Sequence, residues 1–151
     1  MQQDEFPQIV ASGELSSFRF RTDRLGQEVL HRITVTGPIN LKLRIPLYKA
    51  TLAANPSPNY FCILDNRAGF ENVFTYDDIV YLTDFVLEAG IQRIYAATVT
   101  GDTEYAKLVE LANVVVGTSL LEGALLATGE MAEAEAFVRR QMQAQEASRG
   151  S

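Results

Sequence analysis

Two side chains in the stretch YFCILDNRAGFENVFTYDDIVYL, residues 60–82, have the types and positions that catalysis or phosphorylation needs. Asp65 ends an apolar run typical of a strand, and Thr75 stands where an amphipathic helix begins. Acids at the carboxyl ends of parallel strands lie where α/β sheets bind ligands. A hydroxyl at a helix start can carry a phosphate or can cap the helix backbone. Both residues are therefore candidates for chemistry and for purely structural roles.

Asp65 has a phosphoacceptor interpretation and a structural one. A receiver domain with a phosphoacceptor Asp also needs an acid pair after its first strand, a hydroxyl after the next strand and a Lys after the last. Thr98 or Thr100 supplies the hydroxyl, but TVTGPI holds no acid pair and ALLATG holds no Lys. We therefore favour a structural Asp65 that accepts backbone N–H groups of the following loop or pairs with Arg67.

Thr75 is followed three residues later by Asp78, which is the spacing of a capping box. A capping hydroxyl contributes about 1 kcal/mol to helix stability. Asp77 and Asp78 suit the positive end of the helix, but they would repel a phosphate on Thr75. Capping is therefore favoured over phosphorylation at this position.

The remaining reactive residue types do not combine into a known active site. The chain has no G-x-S-x-G, P-loop or G-x-G-x-x-G motif. His31 lies in the middle of a predicted strand without a nucleophile near it in sequence, which indicates a structural histidine. Cys62 is the single cysteine and lies inside another predicted strand, which indicates a buried and inert thiol. One His and one Cys are too few for a usual transition-metal site, so we expect no enzyme, metal or cofactor.

The charge distribution bears on the class of partner. The formal net charge is −6, and residues 76–151 carry 5 Lys or Arg against 12 Asp or Glu. An acidic half of this kind repels phosphate backbones, so nucleic-acid binding is disfavoured. No apolar run approaches the roughly 20 residues that span a bilayer. The acidic N-terminus has no signal-peptide pattern, and we expect a soluble, cytoplasmic protein.

Hydrophobic periodicity predicts the element order β-β-α-β-α-β-α-β-α. Helices between strands imply parallel neighbours with right-handed crossovers, after an antiparallel opening hairpin. The fold class is thus α/β, an open mixed sheet of about five strands with about four helices. We expect an N-terminal extension over residues 1–13, a single domain over 14–145 and a disordered tail over 146–151. The first helix is predicted to begin near 44–46, because Pro46 suits a first turn.

Four stretches carry a resemblance to a known family when they are taken in order. They are ITVTGPINLKLRIPLYKATL, FCILDNRAG, VFTYDDIVYLTDFVLEAGIQRIYAATV and LLATGEMAEAEAFVRR. From about Glu28 to Arg140 they resemble the STAS domain family, whose type member is the bacterial anti-anti-sigma factor, and more closely its SpoIIAA-like bacterial branch. The resemblance implies a non-enzymatic domain that docks protein partners.

The same resemblance implies a phosphorylated Ser at the start of the helix after the Asp-ended strand. The family's Asp-Ser-Ser-Gly falls on FTYD at residues 74–77, so the acid and the glycine are both missing. Tyr76 stands where the modified Ser would be, and Thr75 is the nearest hydroxyl. This departure argues against a phosphoswitch at Thr75 or Tyr76.

Aromatic residues surround the loop and helix that STAS-like proteins use for docking. They are Phe70, Phe74, Tyr76 and Tyr81, and Phe74 is also placed to pack as a hydrophobic staple before Thr75. Aromatic side chains are favoured at interface centres. Our first hypothesis is an interaction module that docks a protein partner, or a second copy of the chain as a homodimer, through residues 66–82. The residues assigned to the binding of a partner or a ligand are Asp65, Arg67, Phe70, Phe74, Tyr76 and Tyr81.

The second hypothesis is a small carrier for an apolar, lipid-like ligand. SpoIIAA-like domains are compared with lipid-transfer folds in which helices shift to open an apolar cavity. The hypothesis predicts a pocket between the sheet and the helices. Aromatics that face water would favour docking, and aromatics that line a cavity would favour a ligand.

Overall fold

The structure, a computed structural model, describes residues 8–149 of the chain. Six strands form one sheet in sequence order, and four helices pack against it. In chain order the elements are β1 (Gln8–Leu15), β2 (Phe18–Leu25), β3 (Glu28–Val35), α1 (Leu41–Ala53), β4 (Asn59–Asp65), α2 (Tyr76–Glu88), β5 (Arg93–Val99), α3 (Thr103–Gly117), β6 (Glu122–Thr128) and α4 (Met131–Arg149). The first two pairings are antiparallel and the last three are parallel, so the open mixed α/β sheet expected from the sequence is confirmed.

The antiparallel part of the sheet follows the alternation of its residues. Phe18 and Phe20 of β2 are buried, whereas Arg19 and Arg21 between them are exposed. Gly26 supplies the positive φ, +68°, that the short turn into β3 requires. The period of two therefore places one face of this hairpin in the core and leaves the other open.

The parallel strands are covered on both faces. On one face the core joins the sheet to α1, α2 and α3, and on the other face the core joins it to α4. β4 is buried from Asn59 to Leu64, which explains why it reads as a continuous apolar run. The three crossover helices share a face because the strand order never reverses. The carboxyl ends of β4 and β5 consequently open onto the edge where α2 and α3 begin.

The segment 8–13, expected to belong to an extension, instead forms most of β1, so the sheet has six strands and not about five. β1 is mostly exposed and is held by its backbone pairing with β2, from Gln8 opposite Arg24 to Leu15 opposite Phe18. Periodicity reports side-chain burial, and an exposed edge strand has little burial to report. Residues 1–7 of the expected extension lie outside the described residues.

Two helix ends also differ from expectation. α1 begins at Leu41, because the side chain of Asn40 accepts the N–H of Leu43 and caps the helix, so Pro46 lies inside it. α4 continues to Arg149, and residues 146–149 are therefore helical and not a disordered tail. The carboxylate of Glu146 accepts the N–H of Gln27 at 3.1 Å, which fastens this helix end to the β2–β3 turn. Residues 150–151 of the expected tail lie outside the described part of the chain.

Candidate functional site

Asp65 and Arg67 form a compact pair at the carboxyl end of β4. Asp65 Oδ1 accepts the backbone N–H of Arg67 at 3.0 Å and its Nε at 2.9 Å, while Oδ2 accepts Nη2 at 2.8 Å. The hydrogen bonds from Arg67 lower the pKa of Asp65, so the carboxylate stays ionised. Both oxygens are thus engaged by the loop that follows, which is the structural arrangement favoured from the sequence.

Asn66 braces the loop after β4 from inside. Its side-chain oxygen accepts the N–H of Phe70 and its amide donates to the carbonyl of Phe70, each at 3.0 Å. Its own N–H bonds the carbonyl of Val99 at 2.8 Å, and Asn66 is 5% exposed. The buried side-chain amide of Asn66 therefore closes the turn from 66 to 70, and no local pattern in the sequence indicates this role.

A second anchor holds the middle of the same loop. Ile39, just before α1, forms an isolated parallel bridge with Asn72. The N–H of Ile39 bonds the carbonyl of Glu71 at 2.8 Å, and the N–H of Val73 bonds the carbonyl of Ile39 at 2.9 Å. The segment between β4 and α2 is thereby fixed at both 66–70 and 71–73.

Thr75 is the N-cap residue of α2, and the capping box is present. The hydroxyl of Thr75 accepts the N–H of Asp78 at 3.1 Å, and the Asp78 carboxylate accepts the N–H of Thr75 at 3.0 Å. Tyr76 is the first residue of the helix and points to solvent, 54% exposed. The carboxylate of Asp78 is hydrogen-bonded to the backbone of Thr75 itself. A phosphate on Thr75 would therefore lie close to this carboxylate.

The four aromatics named from the sequence do not form one cluster. Phe70, Tyr76 and Tyr81 are exposed, and Val73 joins them at 50% exposed. Tyr76 and Tyr81 are five residues apart on α2, which places them about 140° apart around the helix axis. Tyr81 stacks on Phe85, whereas Phe74 turns inward. The solvent-facing apolar residues from the loop to the first residue of α2 are Phe70, Val73 and Tyr76, which we call the loop patch.

Phe74 lines a cavity of about 100 Å³ between the sheet and helices α1, α2 and α3. The walls are mostly aliphatic and include Leu64, Leu82 and Val109. A few polar side chains interrupt them, and these are Arg44, Tyr48, Cys62, Thr83, Thr98 and Tyr105. A pocket in this layer is what the second hypothesis predicts, and of the six residues assigned to binding only Phe74 lines it.

Arg44 is the unexpected member of this lining, because it is only 2% exposed. Its Nη2 donates to the side-chain oxygen of Asn72 at 3.0 Å, and its guanidinium carbon lies 4.3 Å from the ring centroid of Phe74. Arg44, Leu47 and Thr51 share the buried face of α1. A helix start placed at Leu41 would have shown this spacing in the sequence, whereas the start expected near 44–46 concealed it.

His31 and Cys62 are buried in the core of the protein. His31 is fully buried between the hydroxyl of Thr22, at 2.7 Å from Nδ1, and the side-chain oxygen of Asn55, at 2.9 Å from Nε2. The Asn55 amide nitrogen is used by two carbonyls, so Nε2 carries the imidazole proton and Nδ1 accepts from Thr22. Burial lowers the pKa of His31 to about 4 and raises the pKa of the Cys62 thiol to about 12.

The part of the chain that the structure describes contains neither a metal-binding cluster nor a membrane-spanning helix. Within residues 8–149, no three His, Cys, Asp or Glu side chains are gathered in a way that would hold a metal ion. Over the same residues, no helix combines the length and the apolar character that crossing a membrane takes.

One solved structure resembles this fold. It is an uncharacterized protein from the DUF3478 family with a SpoIIAA-like fold, from Shewanella loihica PV-4. The match has a TM-score of 0.51 and covers 85% of this chain and 98% of that chain at 13% sequence identity. No family model matches the chain, and no curated protein does. The similarity confirms the SpoIIAA-like α/β fold expected from the sequence, and at this identity it concerns the fold alone.

Proposed function

We propose that this chain is a STAS-like interaction module that docks a protein partner through the loop and helix at residues 66–82. The observation that carries the proposal is the loop patch of Phe70, Val73 and Tyr76, which faces solvent on a segment anchored at 66–70 and 71–73. A surface that is already ordered loses little conformational entropy when it binds. Aromatic anchors surrounded by polar residues are typical of interface centres.

The charges around the loop patch indicate the chemistry of the partner. Residues 66–88 contain one cation, Arg67, which Asp65 already engages. The acids of the same segment are Glu71, Asp77, Asp78, Asp84 and Glu88. We therefore infer a partner surface with an apolar groove and a rim of Lys or Arg. A homodimer that used this surface on both copies would place acids against acids, so a different protein is the better partner.

Site-specific photo-crosslinking in cells of the protein's own host tests the docking surface. A photoreactive amino acid at Tyr76 is expected to give one discrete crosslinked species, and Phe70→Ala in the same chain is expected to abolish it. Leu120 is the matched control, because it is 90% exposed and precedes the amino end of β6, whereas residues 66–82 follow the carboxyl end of β4. Equal crosslinking from positions 76 and 120 would contradict the proposal.

The partner identified in this way also allows a binding measurement. Phe70→Ala combined with Tyr76→Ala is expected to weaken the purified complex at least tenfold while lowering the free energy of unfolding of the free chain by no more than about 2 kcal/mol, because Tyr76 is 54% exposed and Phe70 is 37% exposed. Affinity is also expected to fall as salt rises, since acids and bases face each other across the rim. Unchanged affinity of the double variant would exclude residues 66–82 as the docking surface.

A second candidate function is the binding of a small apolar ligand, and the cavity of about 100 Å³ favours it. Protein stripped of ligand by unfolding and refolding should take up an apolar probe, and Ala112→Leu, which places a larger side chain in the cavity wall, should block that uptake. The candidate fails if the stripped protein takes up none. A native mass spectrum of gently purified protein separates the two functions, because a bound partner and a small adduct lost on denaturation differ in mass.

A further inference from the structure

Arg44 is a buried cation without a buried anion. The side chain is 2% exposed, and Nε finds no hydrogen-bond acceptor among residues 8–149. No ion pair joins it to any Asp or Glu of those residues. Its neighbours are the neutral amide of Asn72, the ring of Phe74 and the phenols of Tyr48 and Tyr105. The Nε–H group is therefore left without an acceptor, and no acid among residues 8–149 pairs with the charge of the guanidinium.

That arrangement is unfavourable for the protein by itself. Arg remains protonated in proteins, so Arg44 cannot shed its charge as a buried Lys or His would. Taking a guanidinium out of water is costly unless an anion and hydrogen-bond acceptors replace the water. Stability alone would be served by an apolar side chain of similar length at position 44. A cation kept in an apolar wall can be paired by an anion that the chain itself does not supply.

We propose that the cavity binds a small monocarboxylic acid whose carboxylate pairs with Arg44 and whose apolar body lies against the aliphatic walls. The inference rests on the second candidate function, the binding of an apolar ligand, and adds the head group that such a ligand carries. A guanidinium offers two parallel N–H donors that match the two oxygens of a carboxylate. Nε, the donor without an acceptor, belongs to one such pair of N–H groups.

The two phenols complete the head-group end of the cavity. Tyr48 and Tyr105 line the cavity and lie close enough to Arg44 to interact with it electrostatically. Burial raises the pKa of Tyr48 to about 12, so its hydroxyl keeps its proton at neutral pH and is a donor. Phenol donors and a guanidinium together favour an anion over a cation or an uncharged amine at this position.

The volume and the walls restrict the apolar part of the ligand. A cavity of about 150 Å³ lined by aliphatic and aromatic side chains is known to accept benzene. The cavity here is about 100 Å³ and is lined by Leu64, Ile79, Leu82 and Val109 among others. This volume suits a short branched chain, whereas a single ring requires a small outward movement of the helices and a long acyl chain a large one. Benzoate is the first probe because benzamide is its uncharged counterpart of nearly the same shape.

Calorimetric titration of ligand-stripped protein with benzoate and with benzamide tests the inference at constant ionic strength. Benzoate is expected to bind at least tenfold more tightly, because only the carboxylate neutralises Arg44. Arg44→Met is expected to reduce benzoate to the level of benzamide, and Arg44→Lys is expected to retain part of the preference. Arg24→Met is the control, because Arg24 is exposed on β2 and should leave both affinities unchanged.

The outcomes separate the head group from the cavity. Equal binding of benzoate and benzamide would overturn the carboxylate inference and leave apolar-ligand binding intact. Failure of benzoate, benzamide and a short branched acid to bind at all would overturn both. The comparison of the two probes on the wild-type chain needs no variant, so the test remains decisive if Arg44→Met fails to fold. Loss of the benzoate preference in Tyr48→Phe or Tyr105→Phe would support the phenols as donors to the head group.

Discussion

At the scale of single residues, burial and hydrogen bonding decide which reactive side chains are free to act. Asp65 is occupied by Arg67, the Thr75 hydroxyl by the N–H of Asp78, and His31 by Thr22 and Asn55. Each of these groups has partners that account for its presence without any ligand. Arg44 differs, since Nε has no acceptor among the described residues. The proposed binding of a carboxylate at Arg44 rests on this difference.

The lowered pKa of His31 leads us to expect that the free energy of unfolding depends on pH. Its folded pKa, about 4, lies below the ordinary value of 6.5, so the unfolded chain takes up the proton first as pH falls. Stability from the neutral imidazole is fully present above about pH 6.5 and is lost as pH falls toward 4, by an amount on the order of 3 kcal/mol. Urea unfolding between pH 7 and pH 4.5 measures the slope.

His31→Gln is the matched variant for that measurement, because it retains a polar group for Thr22 or Asn55 but does not titrate. It should be less stable than wild type at pH 7 and should show a flatter slope between pH 6.5 and pH 4.5. Equal slopes for the two proteins would show that His31 does not titrate on unfolding as expected.

At the scale of elements, caps and close approaches set where helices and strands begin. Asn40 starts α1, Thr75 starts α2 and Asp102 starts α3, in each case through a side chain that accepts a first-turn N–H. The loop between β4 and α2 is held by Asn66 and by the bridge from Ile39 to Asn72. The elements thus present the loop patch on one side of this segment and Phe74 on the other.

Substitution of Gly123 is expected to destabilise the packing of β6 against β5. Its φ is +141°, and a Cβ at this position would lie 1.8 Å from the carbonyl oxygen of Ile94 on β5. Gly123→Ala is therefore expected to reduce the free energy of unfolding by about 2–5 kcal/mol, through backbone strain and a clash that β6 must move to relieve. Chemical denaturation of the purified variant measures the loss.

Gly101→Ala provides the control, because a Cβ there meets nothing within 4 Å and the φ is not positive. Its free energy of unfolding should stay within about 0.5 kcal/mol of wild type. A tolerated Gly123→Ala would mean that β6 does not approach β5 as closely at its start as the structure places it.

At the scale of the whole molecule, the strand order creates the cavity. Three crossover helices share one face of the sheet, and their side chains meet over β4, β5 and β6 without filling the space between them. The loop between β4 and α2 takes part in both proposed sites. It carries the proposed docking surface, and its Asn72 and Phe74 contact Arg44 at the head-group end of the cavity. A ligand that pairs with Arg44 would therefore share that side chain with the loop that carries the loop patch.

The reactivity of Cys62 can be used to measure opening of the cavity. Cys62 lines the cavity and is the only cysteine of the chain, so no other thiol contributes to the signal. With its pKa raised to about 12, the native thiol at pH 8 should react with a small alkylating reagent on the order of a thousandfold more slowly than in the unfolded chain. Intact-mass measurement over time gives both rates.

Saturating benzoate is expected to slow the native reaction further, because it stabilises the closed form. The same concentration of benzamide is the control and should slow it less. Native alkylation at the unfolded rate would show that Cys62 is not enclosed as described.

Most of the element order of this protein could be predicted from its sequence, because helix and strand periods, caps and turn residues are local properties. Strands β2 to β6, the capping box of Thr75 with Asp78 and the pairing of Asp65 with Arg67 depend on residues a few positions apart, and each is present in the structure. The SpoIIAA-like fold followed from that order.

The contacts between distant segments could not be predicted from local patterns and became visible in the folded structure. It added β1, which is held by backbone pairing and not by burial, and it turned Phe74 inward while Phe70 and Tyr76 face water. It also enclosed Arg44 within a cavity built from three helices and the sheet. Such placements depend on which residues from separate elements meet, and the free energy of a buried charge is fixed by those neighbours and not by its place along the chain.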